Sequence, residues 1–363
     1  MTEGARRKTV ERIRSKAVSI VEPQTLEGFS ITDTYKILED GEKFLIGDVE
    51  DDGQRALIFG TRESVLRLSQ AKYWIIDGTF STVPGLFRQL LSIHASIGPS
   101  HERSFPVIFA LLTSKHELLY KKVFSEILEY SDEKNVRLDP SIIITDFEKG
   151  LINAIKVEFP ETRQSGCFFH LSQNLYRFLQ KNNLVKEFTE DSSVHKIYQS
   201  LQALAFLPAD KIPEAYTILK LSAPECLEKF LNYFEEYYVF GKQKISSRTK
   251  KVLNTEPLFH PTFWSIYENV VEKVPRTSNQ AESWHSRWAK LVAGKHVGIY
   301  RIINEIKLEY KYSIGMMEAC LAGLNEKKRK SQQELKEHRL LTIVNNYNNY
   351  TLADYICAIA VNL

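Results

Sequence analysis

Two apolar runs in this chain end on an aspartate. Tyr73, Trp74, Ile75 and Ile76 lead into Asp77 and Gly78, and Ile142, Ile143, Ile144 and Thr145 lead into Asp146. Continuous runs of β-branched and aromatic residues are the pattern of strands buried on both faces, so each carboxylate stands at the C-terminal edge of a rigid element. A third acid, Glu282, lies in a segment where Trp284, Trp288 and Leu291 recur at i, i+4 and i+7. That spacing marks a helix and puts Glu282 on a different face, in line with Ser286, Ala289 and Ala293. Two carboxylates on strand ends and one on a helix suit two-metal phosphoryl transfer. Mg²⁺ and Mn²⁺ are hard ions that prefer oxygen ligands. A pair of them can activate an attacking hydroxyl and stabilise a leaving oxygen.

Simpler roles exist for the same residues. Asp before Gly commonly caps a turn, and Glu282 stands three residues after Asn279, a capping-box position if Asn279 is the N-cap. Cys167 and His170 form a C-x-x-H pair, but two more ligands at finger-like spacing are missing, so zinc is not expected. A structural or DNA-facing role fits that pair better. His170, Asn174, Arg177 and Lys181 recur at i, i+4, i+7 and i+11, opposite Leu171, Leu175 and Leu179. Such a polar and basic stripe can contact phosphates or serve as an ordinary solvated face. His285 follows Glu282 and could line the same cleft, whereas tryptophans at helical spacing are usually core.

The elements that must position these groups can be read from periodicity. An amphipathic helix over 61–71 precedes a strand at 72–77, and strands at 88–97 and 104–113 follow, with Gly98 and Pro99 in the turn between them. A helix over 116–133, a strand at 141–145, a helix over 147–158, a strand at 163–168 and a helix over 169–181 complete the series. Short turns make the first three strands an antiparallel meander, and helical crossovers bring the last two in parallel. One mixed sheet of five strands results, flanked by helices. A right-handed crossover through the 116–133 helix permits the fourth strand to pair beside the first, and Asp77 and Asp146 then become neighbours. The expected divisions are a basic arm over 1–40, the first part of the core over 41–181, a helical insertion over 182–255, completion of the core with the Glu282 helix over 256–295, and a C-terminal helical region over 296–363.

Composition narrows the function classes. The 363 residues are 43% apolar, enough for a substantial core. No run reaches about 18 consecutive apolar residues and the charged N-terminus has no apolar signal core, so neither a membrane nor a secretory role is expected. Cys167, Cys226, Cys320 and Cys357 are scattered, which suits a reducing compartment. The net charge is only +3, yet basic residues cluster at Arg6–Lys16, Lys242–Lys251 and Lys327–Lys330.

Taken in order, DGTF at 77–80, TDFEKGLINAI at 145–155, CFFH at 167–170 and SNQAESWH at 278–285 resemble the Mutator-like element transposases, over roughly residues 70–290. The resemblance implies a ribonuclease-H-like core with an Asp, Asp, Glu triad on Asp77, Asp146 and Glu282, and the family's C-x-x-H motif on Cys167 and His170. It implies two Mg²⁺ or Mn²⁺ ions, DNA partners in the form of element ends and target DNA, a homo-oligomer on DNA, and a nuclear location. The implied activity is cutting DNA at element ends and joining them to target DNA. The alternative is a domesticated, non-catalytic DNA-binding regulator of transcription. Members commonly carry an N-terminal zinc-binding DNA module, but residues 1–70 contain no Cys or His. Either the chain is an incomplete copy, or its basic arm takes over part of that role.

Overall fold

The apolar runs pair with one another before anything else packs on them. In the computed structural model, which describes residues 22–80, 82–98, 103–245, 252–292, 294, 297–324 and 331–363, they form β3 (Trp74–Thr79), β4 (Gln89–Ile97), β5 (Arg103–Leu112), β6 (Ile142–Thr145) and β7 (Arg163–Gly166). β3, β4 and β5 are the antiparallel meander, and β6 lies parallel to β3 with Ile76 opposite Thr145. β7 extends the parallel half.

The sheet has seven strands rather than five, in the order β1-β2-β5-β4-β3-β6-β7. The two unforeseen strands, β1 (Leu45–Asp51) and β2 (Gln54–Phe59), form a hairpin added to the free edge of β5. Its two-residue turn is Asp52-Gly53, both at positive φ (45° and 70°). This is the dipeptide that a tight primed turn demands. Charges at Asp48, Glu50 and Asp51 dilute the apolar signal of β1, and Asp48 is held by the buried Arg55 guanidinium through two 2.8 Å bonds.

Strand alternation sorts the core into two faces. Trp74, Ile76 and Ile143 face a layer made by the helices Arg62–Gln70, Glu117–Glu133 and Lys149–Glu158. The first of these starts at a capping box in which Thr61 and Ser64 exchange hydrogen bonds with each other's backbone. Tyr73, Ile75, Ile142 and Ile144 point the other way, where they meet Cys167, Val274 and Ala281. Further along that face, Leu90, Phe109 and Leu111 pack on Trp284, Trp288, Ile303 and Ile306 of the helices Asn279–Val292 and Ile299–Leu321. By the same two-residue period, Asp77 and Asp146 belong to the face that the Asn279–Val292 helix covers.

Residues 182–255 are not helical throughout. The helices Val185–Glu190, Ser192–Ala203, Ile212–Leu221 and Glu228–Phe234 are followed by a small hairpin of β8 (Gln243–Ile245) and β9 (Val252–Asn254). The core of this helical body also takes in Leu340, Val344, Tyr355, Ile356 and Ile359 from the helices Ser331–Asn345 and Leu352–Ala360. Of the basic clusters, Arg6–Lys16, Arg248–Lys251 and Lys327–Lys330 lie outside the described residues, and Lys242 pairs with Glu236 at 2.6 Å.

Candidate active site

Asp77 is the most enclosed of the candidate acids, at 5% exposure. One of its oxygens accepts a 2.8 Å hydrogen bond from the Gly78 N–H, and the other lies 3.7 Å from His285 Nδ1. Gly78 makes a close approach here, for a Cβ at that position would sit 2.1 Å from Gln89 Nε2 and the Gln89 side chain would have to shift. Asp146 accepts from the Glu148 N–H at 3.1 Å. Burial, then the neighbouring Asp146 and Glu282 carboxylates, push Asp77 up to about 8, against the opposing pull of Gly78 N–H and Lys115. Burial and Glu148 likewise raise Asp146 to about 6. Asp77 thus feels the charge of both other acids, whereas the tightest cluster of possible donor atoms places Glu282 with Cys167 and His170.

Glu282 is held differently. Its helix begins one residue earlier than expected, for the Ser278 carbonyl accepts the first helical hydrogen bond, from Glu282 N–H at 3.0 Å. Ser278 is therefore the N-cap, Glu282 falls one place beyond the capping-box position, and capping does not account for it. The buried stripe of this helix is Ala281, Trp284, Trp288 and Val292, while Leu291 is 47% exposed. Ala281, fully buried among Tyr73, Ile75 and Ile144, lets the backbone come close to the sheet. Glu282 Oε1 lies 3.5 Å from Ser278 Oγ and 3.9 Å from His170 Nε2. Burial raises its pKa, and His170 and Ser278 draw it back down.

The C-x-x-H pair stands beside this glutamate. Cys167 is the fully buried N-cap of the Phe168–Lys181 helix, and its sulfur accepts from both the N–H and the hydroxyl of Ser278 at 3.2 Å. Leu171, Leu175 and Leu179 are buried and Arg177 and Lys181 are exposed, whereas Asn174 reaches the Tyr238 hydroxyl of the helical body. Trp284 is core, and its indole N–H donates to the buried Glu309 at 2.9 Å.

Several neighbours carried no sequence signal. Lys115 pairs with Glu148 at 2.7 Å, and its ammonium lies 3.7 Å from the centre of the Phe80 ring. Glu148 is braced by the Tyr120 hydroxyl at 2.5 Å, which also lies 2.8 Å from Gln89. On the inner side, Ser92 joins the Asp77 carbonyl (3.3 Å) to His94 Nε2 (3.0 Å). Burial keeps His94 well below its ordinary pKa and takes His285 down to about 4. Glu148, an acid two residues after Asp146, had a sequence position that could have suggested it, but it was not singled out.

The donor chemistry fits hard divalent cations. Asp77 offers buried and Asp146 partly buried carboxylate oxygens, which repel one another and are each met by one backbone N–H. Lys115, the cation that draws both pKa values down, is already shared with Glu148. An ion bridging such oxygens would lower both pKa values.

A model of the MULE transposase domain matches residues 73–174. The match takes in Asp77, Asp146, Cys167, His170 and Asn174 and stops before Glu282. No curated protein matches the chain.

Proposed function

We propose, from the premise that this chain carries a MULE transposase domain, that it cuts DNA at the ends of an element and joins those ends to target DNA, within a ribonuclease-H-like core. The observation that carries the reading is Asp77: a nearly enclosed carboxylate, raised to about 8 by burial and by the charges of Asp146, directly after β6, and of Glu282 on the Asn279–Val292 helix. Asp77, Asp146 and Glu282 would hold the ions. Two bound Mg²⁺ or Mn²⁺ ions would supply activation of the attacking oxygen and stabilisation of the leaving one.

The remaining side chains orient and screen. Asp77 is fixed within β3, two residues before its end rather than at it, and Asp146 directly after β6, with the Gly78 and Glu148 N–H groups holding their carboxylates. His285, neutral at physiological pH, abuts Asp77 without adding a competing positive charge. Lys115, fixed by Glu148 and Phe80, offers a cation to a phosphate that approaches the acids. Attack by water on a phosphodiester releases a 3′ hydroxyl, and attack by that hydroxyl on a target phosphodiester exchanges one P–O bond for another. Arg177 and Lys181 extend an exposed basic edge from this site along the Phe168–Lys181 helix, suited to tracking the DNA backbone. Action on chromosomal DNA places the protein in the nucleus. Among the described residues no helix is long and apolar enough to cross a membrane.

The test is nicking of supercoiled plasmid and strand transfer of pre-cut duplex ends in Mn²⁺. Asp77→Asn and Asp146→Asn are each expected to abolish both reactions while keeping duplex affinity within about threefold of the parent, since phosphate contacts dominate binding. Salt-sensitive duplex binding by a parent that neither nicks nor joins would instead support the non-catalytic regulator.

A further inference from the structure

We propose that Cys167, His170 and Glu282 form a second metal site, for a borderline ion of the Zn²⁺ or Co²⁺ type, that meets the proposed catalytic site at Glu282. One donor atom from each of the three lies within 4.8 Å of the others. Donors around a tetrahedral ion with bonds of about 2.0–2.3 Å are separated by roughly 3.5 Å. His170 Nε2 and Glu282 Oε1, at 3.9 Å, are already near that separation.

The local fold favours this set. Cys167 and His170 occupy the N-cap and the first turn of one helix, so their spacing aims both side chains at the same end. The third ligand comes from the start of the Asn279–Val292 helix, which Ser278 ties to Cys167. Cys167 Sγ accepts two hydrogen bonds from Ser278, which oppose the upward push that burial gives its thiol, and binding an ion would displace the thiol proton. Thiolate sulfur, imidazole nitrogen and one carboxylate oxygen form a donor set for Zn²⁺ or Co²⁺, not for Mg²⁺. Three protein ligands leave a fourth position, which solvent can fill because the His170 and Glu282 side chains are 22% and 30% exposed. The expectation against zinc rested on ligand spacing along the chain. The fold supplies one of the two missing partners, Glu282, from a distant helix.

The site goes beyond the proposed reaction and can be tested without DNA. The full chain, stripped with chelator and kept reduced, is titrated with Co²⁺ in a background where the exposed Cys226 and Cys357 are replaced by serine. One equivalent is expected to produce a thiolate-to-cobalt charge-transfer band and the intense visible bands of a tetrahedral ion. Cys167→Ser should abolish the charge-transfer band, and His170→Gln, at a half-buried position, should weaken Co²⁺ binding by about tenfold or more. Asp146→Asn should leave the band unchanged, which separates this site from the proposed catalytic one. A folded parent without the band, or a band that survives Cys167→Ser, overturns the proposal. So does a Co²⁺ affinity indifferent to His170→Gln in a variant that melts like the parent.

Discussion

Asp77 gives the clearest expectation at the scale of single residues, because its environment fixes both a direction and a window. The folded protein holds this proton up to about 8, whereas an unfolded chain releases it near 3.8. Between those values only the folded state keeps the proton, so this group's contribution to stability is full below 3.8 and is lost as pH rises to about 8. In chelator, Asp77→Asn should gain stability relative to the parent as pH is raised across that window. Urea midpoints at several pH values check it, and a parent-to-variant difference that stays flat with pH would contradict it. His285, depressed to about 4, acts in the opposite sense, losing its contribution as pH falls from 6.5. That loss is common to parent and variant and cancels in the comparison. Saturating Mg²⁺ should stabilise the parent and not the variant. Asp77 and Asp146 were readable because each ends an apolar run, and Glu282 because of the tryptophan spacing of its helix. Lys115, Tyr120 and His94 were not, since each joins the cluster through a contact between elements that no local pattern records.

At the scale of elements, what a strand or helix buries decides how firmly the acids are held. Gly78→Ala puts a methyl against the amide of Gln89, itself 2% exposed and engaged with Tyr120. Over-packing of this kind costs about 1–3 kcal/mol, and chemical denaturation should show it together with reduced nicking. A denaturation curve matching the parent's would mean that Gln89 moves aside freely. The meander, the parallel β3-β6 pair and the crossover helices were legible because their residues are continuously apolar or cleanly periodic. The β1-β2 hairpin was missed although Asp52-Gly53 announces it, because acidic residues interrupt the alternation of β1. Leu291 was assigned to the buried stripe from tryptophan spacing, and Val292 took its place. The helix rotates its small Ala281 on to the sheet, which a pattern weighted towards large side chains does not register.

The whole molecule joins a sheet-centred core to a helical body whose interior draws on residues far apart in the chain, Leu171 to Val270 and Leu340 to Ala360. Tyr355, fully buried, donates its hydroxyl to the Phe206 carbonyl at 2.6 Å. Removing that ring in Tyr355→Ala should cost about 3–5 kcal/mol, and limited proteolysis should then open the helical body first while the sheet stays protected. Uniform cleavage across both parts would show instead that they unfold as one. This arrangement also bears on synthesis. A ribosome delivers Phe206 well before Tyr355, which follows 149 residues later. At about 5–20 residues per second the helical body therefore spends roughly 7–30 seconds with part of its apolar interior uncovered. The sheet strands have all emerged by Gly166. Until Trp284 and Ile303 follow, one face of that sheet is uncovered as well, so the nascent chain exposes apolar surface on both parts, the condition on which chaperones act.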